Sequence, residues 1–106
     1  MTHQLMLRDQ DRKRLEELLV TYLPSITVWA YGSRVNGDAH EASDLDLVLR
    51  SPDLSPISAE ALDSFVEAVR ASNIPILIEA RDWARLPDSF HREILKQYVV
   101  LRQQGI

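Results

Sequence analysis

Apolar and polar positions follow two periods along this chain, one helical and one strand-like. Leu15, Leu18, Leu19, Tyr22 and Leu23 recur at i, i+3, i+4 spacing and predict a helix over about 9–23, which Pro24 stops. Asp11-Arg12-Lys13-Arg14 and Glu16-Glu17 then fall on its wet face. Ile26-Thr27-Val28-Trp29-Ala30-Tyr31 is β-branched and aromatic, reads as a buried strand, and ends at Gly32. Asp44-Leu45-Asp46-Leu47-Val48-Leu49 alternates acid and apolar before turning fully apolar, a strand with one wet end and one buried end. Pro52 and Pro56 mark a loop, and Ser55 or Ser58 can cap the helix whose stripe is Leu62, Phe65, Val66 and Val69. Glu60, Asp63, Glu67 and Arg70 point outward from it. The stretch 74–80 reads as a third strand. Pro87 opens a last helix in which Phe90, Ile94 and Tyr98 share one face. The order helix, strand, strand, helix, strand, helix predicts an α/β (α+β) fold, a small mixed β-sheet flanked by helices.

Chemistry concentrates between the first two strands. Strand one ends in Gly32-Ser33, ten residues follow, and strand two opens with Asp44-x-Asp46. Side chains two apart on a strand leave the same face, about 7 Å apart. Two carboxylates there make a poor core and a good site for hard cations. Magnesium favours a few carboxylate oxygens together with substrate phosphates, and two ions about 4 Å apart can clamp an in-line displacement at phosphorus. Gly32 lacks a Cβ and lets a phosphate approach the backbone, while Ser33 offers an N–H and a hydroxyl. A short helix starting at Ser33 would add amides facing an anion. Arg34 is a candidate phosphate contact, with a solvated side chain as the alternative. Gly37 would let the chain turn sharply. Ser43 is read as a cap of the turn.

Composition narrows the classes. The chain has 106 residues, 45% hydrophobic and 26% charged, which suits one domain over 1–106. It has no cysteine, which excludes disulfides and thiolate zinc sites and agrees with a reducing cytoplasm. The start, Met1-Thr2-His3-Gln4-Leu5, is not that of a signal peptide, and no apolar run is long enough to span a membrane. A net charge of −4 with scattered basic residues argues against unaided nucleic-acid binding. His3, His40 and His91 have no partners at metal-ligand spacing and read as surface histidines, with His40 the one near enough to Asp44 to meet a substrate. Trp29 and Trp83 read as core or interface rather than as nucleotide-stacking residues.

The motif Gly32-Ser33, ten residues, Asp44-x-Asp46 resembles the signature of the polymerase-beta-type nucleotidyltransferases. The short chain and the run Gly32-Ser33-Arg34-Val35-Asn36-Gly37 resemble the minimal nucleotidyltransferases, commonly encoded beside a small helical HEPN protein as a toxin–antitoxin pair. The resemblance extends over nearly the whole chain, through Arg81-Asp82-Trp83, Phe90-His91-Arg92-Glu93-Ile94 and Val99-Val100-Leu101. It implies a palm-like sheet, two Mg2+ ions for which Mn2+ can substitute, a nucleoside triphosphate (ATP), and a HEPN toxin as acceptor in a hetero-oligomer. It also implies a third carboxylate on the third strand, where an aspartate is usual. Here that place holds Glu79, a departure that puts a longer and less rigid side chain at the metal. Asp82 is the rival; Glu79 is preferred because it lies inside the strand.

Three functions follow. The first is an antitoxin enzyme that adenylylates its partner toxin, with Asp44, Asp46 and Glu79 catalytic and Gly32, Ser33 and Arg34 on the nucleotide. The second is a small-molecule nucleotidyltransferase of the aminoglycoside type, a class that normally carries a further helical domain. The third is a binding module that silences its partner by contact. A chain this short has little material for a second pocket, so the acceptor should be a protein, and a tyrosine hydroxyl is the reachable nucleophile. Its docking surface would be the wet edge near Gly32, the 38–43 loop and Asp44. Metal should stabilise the folded chain by about 2–3 kcal/mol at a hundredfold excess over its dissociation constant. Melting with Mg2+ and a triphosphate should show the shift, and Asp44→Asn with Asp46→Asn should abolish it.

Overall fold

The computed structural model describes residues 5–36 and 43–102. The chain folds as α1 (Asp9–Tyr22), β1 (Thr27–Tyr31), a single turn α2 (Ser33–Asn36), β2 (Leu45–Arg50), α3 (Ala59–Arg70), β3 (Ile78–Asp82), a 3-10 turn (Trp83–Arg85), α4 (Asp88–Lys96) and β4 (Tyr98–Arg102). The four strands form one sheet in the order β3-β2-β1-β4. β1 pairs antiparallel with β2 and β4, and β2 pairs parallel with β3, so the sheet is mixed as expected.

Alternation along the strands divides the core in two. Val28, Ala30, Leu45, Leu47, Leu49 and Leu101 point to the face covered by α1 and α3, where they meet Leu15, Leu19 and Phe65. Trp29, Tyr31 and Val48 point to the other face, where α4 brings Ile94 and Phe90. That second layer is thin and leaves the β2–β3 end of its face open. Asp46, Glu79 and Arg81 share the parity of the open face.

Most elements lie where the sequence places them, and the departures have physical reasons. α1 stops one residue early, the Leu23 N–H still bonding to Leu19 O. Its buried stripe is Asp11, Leu15, Leu19 and Leu23, whereas Tyr22 is exposed. Asp11 therefore leaves the wet face, because it stands at i−4 from Leu15. It accepts both prongs of the Arg8 fork, at 2.8 and 3.1 Å. Ser58 rather than Ser55 caps α3, accepting from Ala61 N. β3 begins at Ile78 instead of Ile74, since Pro75 has no N–H for a ladder; it also runs on to Asp82. Tyr98 is not on α4: the helix ends at Lys96, and 98–102 form a fourth strand on β1. A short apolar run directly after a helix does not reveal by period that it leaves the helix.

The last aromatic residues knit the second layer. Tyr98 stacks on Trp29 with ring centroids 4.1 Å apart, and Trp83 meets Trp29 edge-on. The Arg50 guanidinium lies over both indoles, at 4.3 and 4.6 Å from their centroids. His91 is half-buried against Trp83 rather than solvated, with Nε2 2.7 Å from Trp83 O. Both tryptophans are thus structural.

Asp82 has a structural duty as well. It is 4% exposed, and its carboxylate accepts from Ile57 N at 2.8 Å, from Ala84 N at 3.1 Å and from Arg85 Nε at 3.2 Å. Its register partner is Leu49, at the far end of β2 from Asp46. Asp82→Ala should cost about 2–4 kcal/mol by stranding the buried Ile57 N–H and the partly buried Ala84 N–H and by removing the partner of Arg85. Glu79→Gln, half-exposed, should stay within about 1 kcal/mol of wild type. Urea unfolding of the two variants checks the contrast.

Candidate active site

Three strands contribute to the open face. Tyr31 pairs with Asp46 across the antiparallel β1–β2 ladder, and Asp46 pairs with Glu79 across the parallel β2–β3 ladder. The residues therefore stand in a row, one strand spacing apart. Arg81, two residues after Glu79 on the same face, reaches back over the row. Its Nη2 donates to Glu79 Oε2 at 2.9 Å, and its Nη1 lies 3.0 Å from the Tyr31 hydroxyl and 3.4 Å from Asp46 Oδ1. Asp44 is exposed at the mouth of β2, two residues before Asp46.

Gly32 is needed here for two reasons. Its φ of +83° lies in the left-handed region, and a Cβ built on it would meet Asp46 Oδ2 at 2.6 Å. Glycine was expected to make way for a phosphate; what the structure shows is that its missing Cβ makes room for one oxygen of Asp46. The backbone turns directly into α2, where Val35 N bonds to Gly32 O at 3.0 Å, and Ser33 is the first residue of that turn.

Arg34 is neither solvated nor turned to an open site. It is 7% exposed, and its Nε and Nη1 donate to Ser43 O and Met6 O at 2.9 and 2.7 Å. Met6 N returns a bond to Arg34 O. Two of the donors expected to face a phosphate are thus taken by backbone carbonyls. Arg34 instead braces the segment before α1 against the residue that precedes Asp44. Gly37, His40 and the 38–42 part of the expected docking loop lie outside the described residues, as does His3.

The electrostatics follow from crowding. Burial pushes the Asp46 carboxyl above the ordinary aspartate range; Arg81 opposes the rise, and the charges of Glu79 and Asp44 add to it. Burial likewise pushes the Tyr31 phenol up, against the pull of Arg81. Among the described residues no three acidic or histidine side chains already stand as a metal cage. The donor set nevertheless suits a hard cation. Asp46 and Glu79 are adjacent oxygen donors, the missing Cβ of Gly32 leaves Asp46 accessible, and Asp44 is within electrostatic reach. Arg81 is the site residue that sequence reasoning missed. Its i+2 spacing from Glu79 was the available signal, but the carboxylate on the neighbouring strand gives it meaning.

Two concavities flank the row. One, of about 280 Å3, lies between Gly32 and α4 and is lined by Tyr31, Phe90, Ile94, Lys96 and Gln97. The other, of about 660 Å3, follows β3 past Leu77, Glu79 and Arg81.

Residues 1–88 match the family described as poly(A) RNA polymerase, mitochondrial-like, central palm domain. The chain is 36% identical over 101 residues to the "Probable protein adenylyltransferase MntA" of Haemophilus influenzae, covering 95% of this chain and 87% of that one. It belongs to the minimal nucleotidyltransferases. Solved structures agree on the fold. A toxin–antitoxin crystal structure with AMP-PNP superposes with a TM-score of 0.71 at 17% identity, covering 89% of this chain and 74% of that one. A tri-AMPylated Shewanella oneidensis HEPN toxin in complex with MNT antitoxin gives 0.67 at 13%, covering 92% and 74%. As a nucleotidyltransferase, the protein belongs to a class that generally uses divalent metal. No helix among its described residues is long and apolar enough to cross a membrane.

The raised pKa of Asp46 sets a pH dependence. The folded chain holds that proton more tightly than the unfolded one, so the favourable contribution is fully present below the ordinary aspartate pKa. It is lost as pH rises through the raised value. At neutral pH, with metal chelated, ionised Asp46 therefore weakens the fold. Asp46→Asn should melt higher than wild type at neutral pH and lose that advantage near about pH 3. Thermal melting across pH measures both limits.

Proposed function

We propose that this protein transfers AMP from ATP to a hydroxyl of a HEPN-type partner toxin and thereby acts as its antitoxin. The observation that carries this reading is the 36% identity, over nearly its full length, to a protein adenylyltransferase. The row of Asp46 and Glu79 beside an uncovered Gly32 supports it.

Asp44, Asp46 and Glu79 would hold Mg2+, two ions in the full site, with Mn2+ able to substitute. Such ions, when bound, supply positive charge to the phosphate oxygens and ease deprotonation of a nearby hydroxyl. The chain's own residues position the reactants. Gly32 and Ser33 would present backbone and hydroxyl to the triphosphate tail, and the nucleoside would enter the cavity between Gly32 and α4, which Phe90 lines. The acceptor oxygen attacks the α-phosphorus, the bond to pyrophosphate breaks, and the phenol's proton leaves to the carboxylate row or to water. Most of the acceleration comes from alignment and charge stabilisation. A tyrosine suits the acceptor role because its phenol reaches far and ionises more readily than serine or threonine. It would enter from the edge at Gly32 and the exposed Asp44. The cysteine-free composition suits a cytoplasmic reaction.

Co-expression with the neighbouring HEPN gene product, followed by intact-mass measurement, tests this. The partner should gain one or more AMP units with wild type and none with Asp44→Asn plus Asp46→Asn. A stable, silenced complex without added mass would favour a binding module that acts by contact.

A further inference from the structure

Arg81 occupies the place where the chemistry asks for a cation. One guanidinium spans carboxylates from two strands, with Nη2 2.9 Å from Glu79 Oε2 and Nη1 3.4 Å from Asp46 Oδ1, and also bonds the Tyr31 hydroxyl. These carboxylates are the oxygen donors a divalent ion would use. A guanidinium cannot release its charge by deprotonation near neutral pH, so it can only move away. It has room to move: its side chain is 38% exposed and borders the open groove along β3.

We propose that Arg81 is a positioning residue that competes with the metal for Asp46 and Glu79, so that a divalent cation binds by displacing it. The displaced guanidinium is then available to an anion, and a triphosphate arriving with the cation supplies one. The competition keeps two neighbouring carboxylates paired when no metal is bound, and it makes metal and triphosphate bind cooperatively. This rests on the metal-site reading above and adds to it an order of events.

Mn2+ alone would be titrated into the full-length protein and followed by the loss of its free electron paramagnetic resonance signal. Arg81→Gln should bind Mn2+ about tenfold tighter than wild type, because one fixed positive charge has left the site. Arg81→Lys, which keeps the charge but not the fork, should bind about threefold tighter and guards against a folding failure of the first variant. At saturating Mn2+, a non-hydrolysable triphosphate should bind Arg81→Gln more weakly than wild type. Mn2+ affinity that is unchanged or reduced in both variants overturns the competition, provided that wild-type binding depends on Asp46. If wild type binds no Mn2+, or Asp46→Asn binds it equally well, the metal-site reading fails and the proposal falls with it.

Discussion

Two carboxylates held at adjacent positions of parallel strands govern this structure. Asp46 and Glu79 are register partners on one face of the sheet, where like charges repel and half-burial strengthens the repulsion. A sheet built for stability alone would place an apolar pair there, as it does one step along at Leu47 and Ala80 on the opposite face. The open face around the pair, the bare backbone of Gly32 and the reach of Arg81 all answer this crowding. The stability that the row gives up is recovered on the other face, where α1 and α3 bury the larger apolar layer.

The two faces divide the labour through strand period alone. Because alternate residues leave opposite sides, β2 carries Leu45, Leu47 and Leu49 into the deep core while lifting Asp46 toward solvent. A slip of one residue in the β1–β2 register would bury the acid and expose the leucines, so core formation and site assembly are the same event. Buried polar groups at the rim hold the loops that deliver the remaining parts. Arg34 ties the segment around Met6 to Ser43, next to Asp44, and Asp82 ties Ile57 and Arg85 to the end of β3.

How far the sequence revealed this depended on the range of the interaction. Gly32 and the Asp44-x-Asp46 spacing were legible because local geometry, a turn and a strand period, dictates them. Glu79 was preferred to Asp82 for a related reason, its place inside a strand; in the structure Glu79 stands beside Asp46 on the open face, while Asp82 faces the other layer and accepts from Ile57 N, Ala84 N and Arg85. What stayed hidden is defined by partners distant in sequence. Arg34 looked like a phosphate ligand because it follows Gly-Ser, but its carbonyl partners lie 28 and 9 residues away. The fourth strand exists because β1 offers a free edge, which no period in 98–102 announces. Asp11 falls within a helical stripe of leucines, where polarity argued for the surface and position argued for burial; Arg8 decided the matter.

Arg81 belongs to the same hidden class and shows why such residues matter. On β3 it is one basic residue among several, and its register partner is Val48. Only the superposition of two strands brings Asp46 and Glu79 under one guanidinium. Read as a metal site, the arrangement would resolve a conflict that any such group of carboxylates faces. The site must gather negative charge tightly enough to bind a cation, yet the chain must fold whether or not that cation is present. On the proposal above, an internal arginine meets both demands, since it offsets part of the row's charge during folding and would yield to a doubly charged ion with a rigid oxygen preference. Lysine would be a poorer choice, because a single ammonium point charge cannot span two carboxylates from different strands while also holding the Tyr31 hydroxyl. The sheet that reads from sequence as a scaffold for acids is therefore also the frame that keeps one arginine within reach of them.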